Sequence, residues 1–171
     1  MVVLQLTPNN IYGFDDFNIN FTYPKKILNS FIEGENLEGR ERFRYKKAVI
    51  LMGANATGKT SLGKALLRIF NYMSNGNPIP LCEMVCGAKG SFSIDFVNGD
   101  NRLQRLTAEI VPSRNEVEIQ YQDAEIGVLD SYEKCVAKLQ DRTAEATQTV
   151  TALKKLVGEV RCRFAYPEIE K

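Results

Sequence analysis

The chain has 171 residues, room for one domain at roughly 150 residues each. Its 44% hydrophobic and 25% charged residues are ordinary for a globular protein and argue against intrinsic disorder. Lys and Arg total 22 against 21 Asp and Glu, so a net charge of +1 gives no bulk attraction to nucleic acid, and the lack of any His excludes Ser-His-Asp and Cys-His catalysis and His-ligated metal sites from this chain.

Val2, Val3, Leu4 and Leu6 read as a first strand. After Pro8-Asn9-Asn10 a second pair of strands is expected from Phe14 to Phe21, with Phe17, Ile19 and Phe21 alternating with polar residues. Residues 24–47 carry Gly34, Gly39 and many charges, and read as an exposed insertion. Ala48-Val49-Ile50-Leu51-Met52 is a wholly apolar run, the pattern of a strand buried on both faces of a sheet. A Gly-bearing loop follows, then a helix whose stripe is Leu62, Ala65, Leu66, Ile69, Phe70 and Met73, ended by Asn75-Gly76-Asn77-Pro78.

From Ser91 the period changes to two. Phe92, Ile94 and Phe96, the Asn98-Gly99 turn, Arg102 to Val111, the turn at 112–115 and Val117, Ile119 and Tyr121 predict an antiparallel β-meander over 91–129. Asp130 and Ser131 open a helix whose stripe Val136, Leu139, Thr143, Ala146, Val150, Leu153, Val157 predicts about 27 residues, roughly 40 Å, stopped by Gly158. That stripe fits either a surface helix on a sheet or the start of a coiled-coil arm. Val160 to Tyr166 reads as one more strand. Cys82, Cys86, Cys135 and Cys162 form no paired motif, which predicts reduced thiols of a cytoplasmic protein, and they are given no role. The first residues lack a signal-peptide pattern, and no apolar stretch approaches the roughly 18–20 residues needed to span a bilayer.

Gly53-Ala54-Asn55-Ala56-Thr57-Gly58-Lys59-Thr60 matches G-x-x-x-x-G-K-[ST] at every fixed position, a match with chance odds of roughly 1% in a chain this long. Each part has a physical reason. Gly53 and Gly58 permit backbone turns that aim successive N–H groups at one phosphate. The helix that starts near Gly58 adds unpaired N–H donors and its positive dipole end. Lys59 reaches the β- and γ-phosphates, and Thr60 offers a hydroxyl to Mg²⁺. Gly53, Ala54, Asn55, Ala56, Thr57, Gly58, Lys59, Thr60 and Ser61 are therefore the expected phosphate site, with Thr60 the expected metal-side group. The fold class expected is α/β of the P-loop NTPase kind.

The stretch 53–66, Gly-Ala-Asn-Ala-Thr-Gly-Lys-Thr-Ser-Leu-Gly-Lys-Ala-Leu, resembles the G-x-N-x-x-G-K-[ST]-x-L-x-x-A-[LI] signature of soluble ABC-type ATPase heads. These are AAA-family P-loop proteins of the chromosome-maintenance and DNA-repair group, the overcoming-lysogenisation-defect group and phage defence. Asn10-Ile11-Tyr12-Gly13-Phe14, with Phe17, Ile19 and Phe21, is similar to the strand pair that precedes the loop in that family, except that Tyr12 stands where the family has a basic residue. Tyr12 is then either a neighbour of adenine or an ordinary packed side chain. The resemblance implies an ABC-type ATP-binding lobe over 1–129 with a mixed sheet and the β-meander. Residues 130–171 would start an arm or a second lobe. It implies ATP and Mg²⁺ as cofactors, ATP hydrolysis in the full assembly, and work on DNA or in phage defence. The nucleotide would be shared with a second head, as a homodimer, or with a C-terminal lobe. No guanine-reading N-K-x-D occurs.

The catalytic parts of that family are not in this chain. No L-S-G-G occurs, and no Gln is a defensible Q-loop residue. The one Walker B-like string, Ile126-Gly127-Val128-Leu129-Asp130-Ser131, has Ser where a catalytic Glu is needed, and reads as a strand end and helix cap. The sequence thus predicts an N-terminal lobe starting at Met1 and completed beyond Lys171 or by another chain, with little or no turnover alone. A complete small P-loop kinase and a non-catalytic, ATP-controlled interaction module are the alternatives. Arg40, Arg42, Arg44, Lys46 and Lys47, alternating with Phe43 and Tyr45, fit either a nucleic-acid backbone contact or the solvated edge of a strand.

Overall fold

The computed structural model describes residues 1–24, 33–140 and 145–146. Its frame is a six-stranded sheet in the order β2-β1-β5-β6-β7-β8, formed by Val2–Asn9 (β1), Ile19–Asn20 (β2), Gly90–Val97 (β5), Arg102–Val111 (β6), Glu116–Glu125 (β7) and Glu145–Ala146 (β8). A separate hairpin joins Asn36–Leu37 (β3) to Arg40–Arg44 (β4). The helices are Lys59–Asn75 (α1), the single turn Ile79–Cys82 (α2) and Tyr132–Gln140 (α3).

The expected meander is present. β5, β6 and β7 pair antiparallel in continuous register, from Gly90 opposite Ile110 and from Arg102 opposite Glu125. Alternation then assigns the two faces. Phe92, Ile94, Phe96, Leu106, Ala108, Ile110 and Ile119 point to one side and pack with Leu62, Ala65, Ile69 and Met73 of α1. On the opposite side Val97, Leu103 and Ala124 pack with Phe43 of β4 and with Tyr132, Cys135 and Leu139 of α3. A register shift between Val3 and Gln5 of β1 places Leu4 in the second core while Leu6 stays in the first. α1 ends as the sequence predicts, with Gly76 at φ +73 donating its N–H to the Tyr72 carbonyl at 2.7 Å.

Five expectations need correction. The pair of strands expected from Phe14 to Phe21 reduces to Ile19–Asn20, with Phe14 turned back onto Ile11 in an isolated bridge. The sheet is not mixed, since every pairing among the described strands is antiparallel. The run 48–52 forms no strand and is not buried; Val49, Ile50, Leu51 and Met52 are 41%, 82%, 44% and 88% exposed. A run buried on two faces needs neighbouring strands and covering layers, and none of the described elements supplies them at this place. The stretch 24–47 is more than an exposed connection, because it contributes the β3–β4 hairpin, with Phe43 wholly buried and Glu35 buried beneath Tyr23. Finally, α3 is not the front of one unbroken helix, for Glu145–Ala146 pairs with Gln120 and Tyr121 of β7 as a strand. The rest of the predicted 130–158 helix, the strand at 160–166 and Cys162 lie outside the described residues.

Candidate phosphate-binding site

The Gly53–Ser61 loop joins the exposed apolar run to α1. Two of its residues, Ala56 at φ +65 and Gly58 at φ +86, hold the left-handed conformation, which in anion-binding loops lets successive N–H groups converge. Helix α1 begins directly from Gly58, whose carbonyl accepts the N–H of Leu62 at 2.9 Å. No side chain caps this end and its first turn holds no acid. The first N–H groups of α1 and the positive dipole end therefore remain available to an anion.

Lys59 is folded over the loop. Its Nζ donates to the Gly53 carbonyl at 2.8 Å, to the Ala54 carbonyl at 2.6 Å and to Thr57 Oγ1 at 3.2 Å, while Thr57 Oγ1 donates to the Ala54 carbonyl at 2.9 Å. One ammonium so ties Gly53, Ala54 and Thr57 of the loop together. Ala54, Asn55, Ala56, Thr57 and Thr60 are exposed, and Gly58, Lys59 and Ser61 are half-buried. The nine expected site residues thus run from the exposed loop Gly53–Thr57 through Gly58 into the first turn of α1. From Arg42 through Cys82 the sequence has seven basic residues and no Asp or Glu, although the chain as a whole is nearly neutral.

Among the described residues no three His, Cys, Asp or Glu side chains gather into a metal-binding group. A magnesium ion at this loop would take its oxygens from phosphate, Thr60 and water, the set that this ion prefers.

The other sequence candidates fall elsewhere. Tyr12, at φ +49, lies under the Arg68 guanidinium, 5.7 Å from carbon to ring centre, about two and a half turns along α1 from Lys59. Arg68 is itself held by the Pro80 carbonyl at 2.7 Å and by Glu83 at 3.1 Å. This is the packed environment of an ordinary aromatic. The Walker B-like string is no strand either, since β7 ends at Glu125 and residues 127–130 form a turn. Asp130, 3% exposed, accepts the Gly127 N–H at 2.7 Å and pairs with Lys134 and Lys138. Hydrogen bonds from Lys134 and then Lys138 hold its carboxyl well below the usual carboxylate range. It is a helix-start anchor, with Ser131 Oγ accepting the Lys134 N–H at 3.4 Å. Of the basic row, Arg40 donates to the Ile126 carbonyl at 2.6 Å, and Arg44 and Lys46 flank the ring of Tyr23.

Sequence reading missed two features. Phe14, ring-paired with Phe17 at 4.8 Å, lies against Gly58 and so backs the loop. On the far face of the sheet, Asp95 binds Arg105 through two 2.7 Å bonds, and the Tyr132 hydroxyl lies 2.6 Å from both Asp95 Oδ2 and Gln5 Oε1. The Asp95–Arg105 pair was open to detection, because the two stand opposite each other across the predicted hairpin.

No protein-family model matches the chain, and no curated protein matches it. Among the described residues no helix is long and apolar enough to cross a membrane.

Proposed function

We propose that this chain binds ATP, as its magnesium complex, at Gly53–Ser61. The observation that carries the reading is the loop itself. Left-handed Ala56 and Gly58 lead into an uncapped helix end, and a lysine already spans the loop carbonyls. On phosphate binding, Lys59 exchanges neutral carbonyl acceptors for anionic oxygens, which make stronger hydrogen bonds. The uncapped N–H groups of α1 supply further donors. Adenine as the base, and membership of the soluble ABC-type group, rest on the likeness of the 53–66 signature and of the stretch 10–21 to that family's sequences.

Hydrolysis needs a carboxylate or equivalent that positions water in line with the γ-phosphate. No acid occurs between Glu41 and Glu83, and Asp130 is committed to Lys134 and Lys138. The chain therefore serves as the ATP-holding part of a cytoplasmic ABC-type ATPase that works in DNA maintenance or phage defence, the remaining catalytic groups coming from a second lobe or head. The exposed apolar run 49–52 supports this over a complete small kinase, which would bury the strand leading into its loop. A non-catalytic, ATP-controlled module shares the same binding site and is separated by turnover in the completed assembly. The test is titration of the chain with Mg²⁺-ATP, with phosphate release followed in the same samples. Lys59-dependent binding with no release is expected; absence of binding overturns the reading.

A further inference from the structure

The far face of the sheet changes chemistry along its strands. Val97, Leu103 and Ala124 pack under α3. In phase with them on the same face, Ser91, Thr107, Glu109, Glu116, Glu118 and Gln120 line an open groove of about 870 Å³. Register sets Glu109 directly opposite Glu118, and like charges so placed destabilise a sheet. Glu116 stands on the same face about 6.8 Å further along β7. All three carboxylates belong to exposed residues. Lys89 bonds Glu109 from the rim. That bond, then the charge of Glu109 and more weakly that of Glu118, raises the pKa of the Lys89 ammonium. The field of both opposed acids thus already favours a cation at this place.

We propose that this groove is a docking surface for an arginine-bearing segment of a partner protein, whose guanidinium groups bridge Glu109 and Glu118 and reach Glu116 while its main chain hydrogen-bonds Ser91, Thr107 and Gln120. The inference goes beyond nucleotide binding and does not depend on it. Charge complementarity selects the occupant. Opposed side chains on neighbouring strands start about 5 Å apart, a gap that one planar guanidinium with five donors can span. Among the described residues no three acids gather closely enough to hold a metal, so the charge suits a spread cation better than a point ion. Nucleic acid and anionic membrane are repelled by the same carboxylates. The alternating arginines of β4 do not supply a second copy as occupant, because Arg40 is bound to the Ile126 carbonyl and Arg44 lies over Tyr23.

Docking has a consequence for the free chain. The Glu109–Glu118 repulsion is present without the partner and is relieved by its cations. Neutralising these acids therefore removes binding without removing stability, a combination that a merely structural ion pair would not show.

The experiment uses the full chain and a labelled synthetic peptide, acetylated and amidated, of sequence Gly-Arg-Thr-Arg-Val-Arg-Gly. Expected are saturable binding and NMR shifts centred on Ser91, Thr107 and Gln120. The double substitution Glu109→Gln, Glu118→Gln should weaken binding at least about tenfold and unfold at or above the parent's temperature. A second variant, Glu38→Gln, Glu41→Gln, carries the same net charge and changes two exposed acids on the β3–β4 hairpin. It should bind the peptide as the parent does. No saturable binding overturns the proposal, and so does equal weakening in the two variants, which would mean general attraction to charge. Spermine binding as tightly as the peptide, or self-association of the chain that Glu109→Gln, Glu118→Gln abolishes, also overturns it by naming another occupant. Mg²⁺-ATP titration of the same variant keeps the readings apart, since the nucleotide result should not change whether or not the peptide binds.

Discussion

A Cβ placed on Gly58 would lie 3.2 Å from both Cε1 and Cζ of Phe14. The residue that starts α1 and the aromatic that backs the loop are thus in contact with no room between them, and Gly58 also sits at φ +86. Gly58→Ala should destabilise the chain by about 1–2 kcal/mol and weaken ATP binding by displacing the helix end. Chemical unfolding and ATP titration check it. Adding Phe14→Leu should relieve the contact but not the backbone strain, so recovery should be partial. Parental stability in Gly58→Ala would show that the left-handed turn is not required.

Lys59→Ala removes the ammonium that spans the loop without touching either core. Stability should change by no more than about 0.5 kcal/mol. Affinity for Mg²⁺-ATP should fall at least tenfold, since a single charge-assisted hydrogen bond contributes about 1.5–3 kcal/mol. Calorimetric titration decides, and unchanged affinity would remove the phosphate assignment.

The buried pair Asp95–Arg105 gives the opposite pattern. Asp95→Ala leaves the half-buried Arg105 without its carboxylate and should cost about 3–5 kcal/mol with no specific effect on nucleotide. Tyr132→Phe keeps the ring in the second core and loses only the hydroxyl bonds, a loss of about 1–2 kcal/mol. Equal losses in the two variants, measured by urea unfolding, would contradict this division.

Asp130 should shape the acid limb of stability. Its folded-state titration lies below the unfolded value of about 3.9, so the unfolded chain binds its proton first as pH falls. The contribution is complete above that value and disappears as pH drops through the folded one. Asp130→Asn should lower stability at pH 7 and flatten the loss below about pH 4. Urea midpoints measured from pH 7 to pH 2 give the comparison; parallel curves for the two proteins would show that Asp130 is not the group responsible.

Ser131→Glu tests the Walker B-like string directly. Because residues 127–130 turn and Asp130 is held by two lysines, the new carboxylate should not produce ATP hydrolysis. A clear gain in phosphate release would restore the string to the active site.

The sequence by itself determined the loop and the helix behind it. Gly53, Gly58, Lys59 and Thr60 occur at fixed spacing, and the stripe from Leu62 to Met73 marks α1 because neighbouring residues alone set both patterns. It determined the meander as well, where Asn98-Gly99 and the period of two act locally. Tertiary structure decided what depends on distant partners. Whether Val49–Met52 is buried depends on strands that lie far away or elsewhere, so its composition could not reveal its exposure. Phe43 looked like part of a charged insertion until the far face of the sheet gave it a core. The predicted helix after Asp130 gave way at Glu145–Ala146, where the open edge of β7 offers backbone hydrogen bonds to an added strand. For Tyr12, left open between a base contact and a packed side chain, the tertiary structure supplied the packing, with Arg68 above its ring. Local spacing is written in the chain, whereas burial and partnership are properties of the assembled sheet and helices.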